Sequence, residues 1–334
     1  MDSWKAVLRA DPTDWLLEPG DPSVRYFALT GLLGLPQDRP EVVSARQDIM
    51  QTGLVPRILS KQEAGGYWGV AEDFYMRSKY KGTVWSFLLL AELGADGGDE
   101  RIRAACEFIL EKSQDQQSGA FSYVGAKRGG GQHSKVVPCL TSNMVWALIR
   151  FGYLDDPRVR RGIEWITTYQ RFDDGDAAPP KEWPYHHEAC WGRHTCHMGV
   201  VKALKALSEI PEDKRSDDGR RTIEQGAEYM LRHHVHMRSH DPGRVAKSSW
   251  VKLGFPLMWQ IDALDILLVL TRLGYHDPRM QTAVDLVISK QDDQGRWILE
   301  NTLNGRMLVS VEQKGKPSKW VTLNALRALK GFCG

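Results

Sequence analysis

Leu273-Gly274-Tyr275-His276-Asp277-Pro278-Arg279, followed by Gln291-Asp292-Asp293-Gln294-Gly295-Arg296-Trp297, decides the fold of this chain. The first stretch ends an apolar helix on Gly and starts a charged one at Asp-Pro, the stop and start chemistry of two consecutive helices. The second carries the end of that charged helix into a turn running from Gln through Gly to an aromatic residue. Both recur. Helix restarts stand at Leu93-Gly94-Ala95-Asp96 to Glu100-Arg101 and at Phe151-Gly152-Tyr153-Leu154-Asp155-Asp156-Pro157-Arg158, with looser copies at Leu33-Gly34-Leu35-Pro36 and Ile210-Pro211-Glu212-Asp213. Aromatic turns run from Gln62 to Gly66-Tyr67-Trp68 and from Gln114 to Gly119-Ala120-Phe121. The period is roughly 60 residues, each unit being two helices and their turns.

Two kinds of helix alternate along the chain. One set starts near Val24, Thr83, Ser142, His194, Met258 and Lys319 and is apolar nearly all round, as in Val84-Trp85-Ser86-Phe87-Leu88-Leu89-Leu90. The other starts near Ser3, Pro40, Asp99, Pro157, Asp218 and Pro278 and keeps a charged face, as in Arg158-Val159-Arg160-Arg161-Gly162-Ile163-Glu164-Trp165. Helices apolar on all sides belong inside and those with a polar face outside. Six of each in alternation close most simply as an all-α double ring, an (α/α)6 toroid, with residues 1–334 forming one domain and the repeats spanning about 20–332. A short β-hairpin is expected at most, from 298–300 and 307–311 around Asn304-Gly305.

The Gln-x-x-x-Gly-x-Trp turns between helix pairs resemble the QW repeats of squalene-hopene cyclases and of protein prenyltransferase β subunits. In particular the chain looks like the stand-alone bacterial prenyltransferase/squalene-oxidase-repeat proteins. The resemblance implies the toroid and a small apolar or isoprenoid substrate. Fold alone does not assign a reaction, so chemistry has to be sought in side chains.

The densest candidate is His186-His187-Glu188-Ala189-Cys190-Trp191-Gly192-Arg193-His194-Thr195-Cys196-His197. At helical spacing His187, Cys190, His194 and His197 fall on one stripe. Cys and neutral His are ligands that Zn2+ prefers, and three of them with a fourth position open suit a catalytic zinc. The resemblance implies a zinc ligand at His194, in a His-Thr sequence at the start of an inner helix. It also implies an Asp and a Cys two residues apart at the start of the preceding inner helix. Cys139 stands at that Cys place, but Val137 occupies the place of the Asp, which leaves Cys190, Cys196 and His197 as replacements. The plain alternative is that these residues cap and pack.

Two further sets concern the cavity. Asp262 and Asp265 lie three apart at the start of the most apolar inner helix, where burial raises a carboxyl pKa. They are candidates for a proton donor of the class II terpene-cyclase kind, or one of them caps the helix. Asp173-Asp174-Gly175-Asp176 reads instead as a repeat turn that has lost its Trp. Tyr26, Trp85, Trp146, Trp191, Trp259 and Trp320 recur near inner-helix starts and either line a central cavity or fill it. Lys127-Arg128-Gly129-Gly130-Gly131 reads as a loop over the mouth, and His233-His234-x-His236 as an exposed helix end.

Composition removes some partners. Forty-four basic and 42 acidic residues are scattered along the chain for a net charge of +2, which gives no electrostatic footprint for nucleic acid. No apolar run reaches membrane-spanning length. Five cysteines, without framework spacing and without an apolar signal segment, point to the cytoplasm. The expectation is thus an enzyme, zinc-dependent and of the prenyltransferase/terpene-cyclase kind, acting on an isoprenoid-like substrate in a Trp-lined cavity. Its rivals are a proton-initiated cyclase using Asp262 or Asp265, and a non-catalytic toroid that binds an apolar ligand or a protein partner.

Overall fold

In each aromatic turn the main-chain N–H of the ring residue has no partner within its own helix pair, and a threonine of the next inner helix supplies one. Trp68 N–H donates to Thr83 Oγ1 at 3.1 Å, Phe121 N–H to Thr141 Oγ1 at 3.0 Å, and Trp297 N–H to Thr322 Oγ1 at 3.0 Å. The glutamine that opens each turn reaches the next outer segment. Gln62 Nε2 donates to Arg101 O (2.8 Å), Gln114 Nε2 to Arg158 O (2.7 Å) and Gln291 Nε2 to Val7 O (3.1 Å). Trp68 and Trp297 fold back on their own pair, each indole N–H donating to a carbonyl ten residues earlier, Ile58 and Val287. Each turn thus bonds one helix pair to its successor.

The structure, a computed structural model, describes residues 3–75, 80–185 and 187–334. Among these residues the inner layer consists of Pro22–Phe27, Thr83–Glu92, Pro138–Arg150, His197–Ser208, Ala263–Arg272 and Lys319–Cys333. The outer layer is Pro40–Gln51, Glu100–Lys112, Pro157–Tyr169, Asp217–Arg232 and Gln281–Ser289. The sixth outer place is taken by the 3-10 turn Ser3–Val7 and the short helix Thr13–Leu16. Here the ends of the chain meet: Ser3 Oγ donates to Cys333 O, Arg9 N–H to Gln291 Oε1 (3.0 Å), and Lys330 Nζ to Leu32 O (2.7 Å). The ring is an all-α toroid, closed by its first residues rather than by a further helix pair.

Burial follows the two sequence types. Every residue from Thr83 to Ala91 is buried, whereas in Pro157–Tyr169 only the stripe Val159, Gly162, Trp165 and Ile166 is. A fully buried Leu or Phe contributes about 1.5–3 kcal/mol, so the inner helices dominate stability. Outer helices are kept in register by a repeated Asp-x-Arg. Asp99, Asp156 and Asp277 each accept the N–H of the Arg two residues on and hold its guanidinium at 2.7, 2.7 and 2.8 Å. Arg158 and Arg279 also reach Glu107 (2.7 Å) and Glu228 (2.9 Å) on the preceding outer helix. Exposed pairs of this kind are worth ~1 kcal/mol at most and specify placement more than stability.

The β-hairpin lies elsewhere than expected. Met237–Arg238 pairs antiparallel with Asp241–Val245, while 300–316 is an irregular loop. Asn304 does make a turn, but its side chain bonds the loop internally, Oδ1 accepting from Val311 N at 3.1 Å. With that side chain committed to the loop, 298–300 and 307–311 do not form a ladder. No helix among the described residues is long and apolar enough to cross a membrane.

Gly295 is where closure is tightest. Its φ is +69°, and a Cβ there would stand 2.0 Å from Ala10 O. Gly295→Ala is expected to lose about 2 kcal/mol or more. Gly274→Ala, at φ +84° but with nothing within 4 Å, should lose only the left-handed strain, about 1 kcal/mol. Urea denaturation of both variants checks this, and equal losses would mean that the Ala10 contact does not close the ring.

Candidate active site in the axial cavity

Inner helices that are apolar almost throughout still carry charge at a few positions, and these converge on the ring axis. A cavity of about 80 Å3 lies there, with wall residues from every inner helix, from Phe27 and Glu92 round to Trp320 and Arg327. The lower wall is made by the C-terminal ends of the inner helices, where backbone carbonyls leave partial negative charge and favour cations. Arg150 closes the third inner helix and donates to Ala91 O of the second at 3.1 Å. Arg272 closes the fifth.

Glu209 gathers these ends. It accepts both Arg272 guanidinium nitrogens at 2.6 Å, the Trp146 indole N–H at 3.0 Å and Arg150 at 3.4 Å. Burial alone would raise its pKa, but the Arg272 hydrogen bonds and the Arg150 charge outweigh this and hold it at about 2. Lys205 pairs with Glu92 at 2.5 Å. Asp265, also on the wall, forms a buried pair with Lys202 behind it at 2.9 Å. Burial works against both charges; the nearby lysines nevertheless hold Asp265 below the usual carboxylate range.

Asp262 differs from Asp265. It caps the fifth inner helix, Oδ1 accepting from Asp265 N (2.8 Å) and Oδ2 from Gly254 N (2.9 Å). Burial, reinforced by the charge of Asp265, pushes it up to about 7 in spite of those two bonds. Two carboxyls three residues apart are thus divided, one ionised and one that takes a proton near neutrality.

The mouth at the other end is crossed by the segment 250–262. Phe255 stacks on Trp320 of the sixth inner helix (centroids 4.3 Å, 4°). Asn143 of the third donates to Met258 O at 3.4 Å, and Trp259 Nε1 donates to the Tyr80 hydroxyl beside the second at 3.1 Å. Of the aromatics picked out by sequence, Trp146 and Trp320 face the cavity. Trp85 donates to Tyr75 O, Trp191 stacks on Tyr185, Trp259 belongs to the crossing segment, and Tyr26 bonds Gln37. The face of Trp146 is itself covered by the Lys205 ammonium at 4.2 Å.

The Cys/His stretch does not form one helical stripe. A short helix, Glu188–Trp191, stops at Gly192, whose backbone is extended and which packs so tightly that a Cβ would meet Glu188 O at 2.4 Å. His194 then bridges to Asp174, and a separate helix begins at His197. His186 lies outside the described residues. Cys139, Cys190 and Cys196 do gather, close enough to influence one another. Burial, with the neighbouring Cys196, pushes the Cys139 thiol up to about 12, and Cys190 is raised in the same way. The imidazoles turn elsewhere: His194 is exposed, 3.9 Å from Asp174, while His197 packs 4.3 Å from the His233 ring and bonds Tyr229 Oη at 3.2 Å. Burial and the neighbouring His233 hold His197 neutral, its pKa lowered to about 3.

Among the described residues no group of three or more His, Cys, Asp or Glu is placed to hold a metal ion. Among the described residues the donor set expected for Zn2+ at His194, Cys190, Cys196, His197 and Cys139 is divided between a thiol group and an imidazole group. Metal analysis of protein purified without chelator is expected to find zinc well below one equivalent; one equivalent, lost in Cys139→Ser, would reverse this.

One smaller expectation also changes. His233 and His236 are buried, not exposed, because His233 Nδ1 donates to Tyr229 O (2.9 Å) and its Nε2 faces Asp174 (3.3 Å). The glycine-rich loop spends its amides on carbonyls, Gly130 N on Glu111 O and Gly131 N on Gln114 O, so it forms no phosphate cradle.

No family model matches this chain, and no curated protein does. Among solved structures it is similar to an unsaturated glucuronyl hydrolase specific for heparin, at 11% identity over 97% of this chain and 86% of that one, with a TM-score of 0.50. The type II terpene cyclase MstE from Scytonema matches at 15% identity over 93% of this chain and 87% of that one, with a TM-score of 0.42. At these identities the likeness extends to the fold alone.

The Lys202–Asp265 pair can be tested directly. Lys202→Met leaves a buried carboxylate without its partner and is expected to cost about 3–5 kcal/mol, most of it regained in Lys202→Met/Asp265→Leu. Equal destabilisation of the single and double variants in urea would show that the pair is not the interaction lost.

Proposed function

We propose that the axial cavity is a small-molecule site for general acid–base chemistry, with Asp262 exchanging a proton with the bound substrate and the Lys202–Asp265 pair fixing its charge environment. The observation that carries this is Asp262 itself, on the cavity wall with a pKa of about 7 while Asp265 stays ionised. A general acid or base is most effective when its pKa lies near the working pH. Both Asp262 oxygens accept main-chain N–H groups, so a proton arriving there loosens the bond to Gly254 in the segment that crosses the mouth.

The substrate class expected from sequence is the less favoured one. An isoprenoid needs a longer apolar space than about 80 Å3. Protonating an alkene would also develop a carbocation in a cavity that carries Arg150, Lys205, Arg272 and Arg327. A polar or anionic small molecule suits this wall better, and no step here is routed through a metal.

Linkage gives the sign of a test. Asp262 titrates at about 7 folded against 3.8 in the open chain, so between these values the folded state holds a proton that the unfolded state has released, and stability falls as pH rises. The stability of the natural protein relative to Asp262→Asn is therefore expected to decline from about pH 4 to pH 7 and then level off, by at most about 4 kcal/mol. Denaturation across this range measures it, alongside a carboxyl 13C NMR titration. An Asp262 titration in the ordinary carboxyl range would sink the proposal.

A further inference from the structure

Arg327 stands out from the cations around it. Arg150 and Arg272 share Glu209, Lys205 has Glu92 and Lys202 has Asp265, but Arg327 makes no hydrogen bond and no ion pair among the described residues. Its guanidinium faces the cavity from the middle of the sixth inner helix. The acids whose charge it feels, Glu209 and Glu92, are already held by others. Burial, with Arg272 and Arg150 close by, brings its pKa down to about 10, so it remains a cation at neutral pH.

The backbone opposite is shaped to receive it. The first inner helix widens into a π turn at Ala28–Leu32, a rare feature of the kind often found at functional sites. Gly31 in that turn lies against the guanidinium: a Cβ there would be 3.0 Å from Arg327 Nε. A partly buried positive charge without a carboxylate partner, with room made for it beside the cavity, lacks only an anion.

We propose that this end of the axial cavity is an anion site, in which Arg327, flanked by Arg150, Arg272 and Lys205, takes the carboxylate or phosphate of the small molecule on which Asp262 acts. The proposal rests on the acid–base reading for the rest of that molecule and on the cations alone for the anion. The planar guanidinium fork matches both oxyanions two bonds at a time. The space suits a short oxyanion-bearing molecule rather than a long chain.

The test is thermal unfolding of the full chain at pH 7.5 in sodium phosphate and in sodium succinate, each against sodium chloride at matched ionic strength. A saturable rise in Tm on the order of 5 °C is expected for at least one oxyanion once it exceeds its Kd about 100-fold. Phosphate alone acting points to a phosphate ester as ligand, and succinate alone to a carboxylic acid. Arg327→Met should abolish the rise while keeping, in chloride, a Tm at or above that of the natural protein, since it removes a partly buried cation that no carboxylate pairs. Arg327→Lys should keep a weakened rise. No rise beyond chloride, an equal rise in Arg327→Met, or a lower Tm of Arg327→Met in chloride would overturn the proposal. Anion binding with an ordinary Asp262 titration would sink the acid–base reading and leave this site standing, and the reverse result would do the opposite.

Discussion

The ring depends on a polar debt that no helix pair can settle alone. At the end of an outer helix the chain turns through a glycine, and the N–H of the following aromatic residue has no carbonyl of its own pair to meet. A buried backbone donor without a partner costs about as much as a lost hydrogen bond, so it must be met elsewhere. It is met by Thr83, Thr141 or Thr322 on the next inner helix, while the Gln of the turn bonds the start of the next outer segment. Each of these three pairs is complete only when its successor is in place. The last pair finds that successor in the first residues of the chain, where Val7 O and Ala10 stand in for an outer helix.

Parallel inner helices follow from that linkage, and a charged axis follows from parallel helices. Glu92, Arg150, Glu209 and Arg272 all stand at the ends of inner helices and arrive at the same end of the cavity. Aligned C-termini concentrate partial negative charge, which cations offset. Cations brought together in a narrow space then need carboxylates, and Glu209 serves two arginines at once. The apolar repeat thus generates a polar centre, which explains why charged side chains share the cavity wall with Phe27, Trp146, Phe255 and Trp320.

How much of this was legible in the chain can be traced to particular residues. Gly295-Arg296-Trp297 and Asp277-Pro278-Arg279 carry their geometry locally, through positive φ and an N-terminal cap, so the alternation of helices and its closure into a ring could be read directly. The fifth inner helix begins at Ala263 with Asp262 as its cap, which falls within the two roles open for that residue. The Cys/His stripe misled because Gly192 breaks it, and what Gly192 does depends on its contact with Glu188 rather than on spacing. The polar axis was missed for a related reason. Asp265 apart, which stood out beside Asp262, the charges Lys202, Lys205, Arg272 and Arg327 are isolated in apolar helices, and a helix average hides them. Their helical spacing, Lys202 to Lys205 and Asp265 to Arg272, was the available signal.

Asp262 and Arg327 sit in one cavity of low dielectric, and their chemistry is therefore not independent. An anion held against Arg327 adds negative potential in the cavity, which opposes the ionised form of Asp262. Occupation of the anion end therefore raises the pKa of Asp262 further. The protonated form is then the one present when a ligand is bound. Protonation in turn weakens the hold of Asp262 on Gly254, and Gly254 adjoins Phe255, whose stacking on Trp320 closes the mouth. Ligand charge, carboxyl protonation and the closing segment are thereby joined through a single side chain, with no need for a conformational change in the ring.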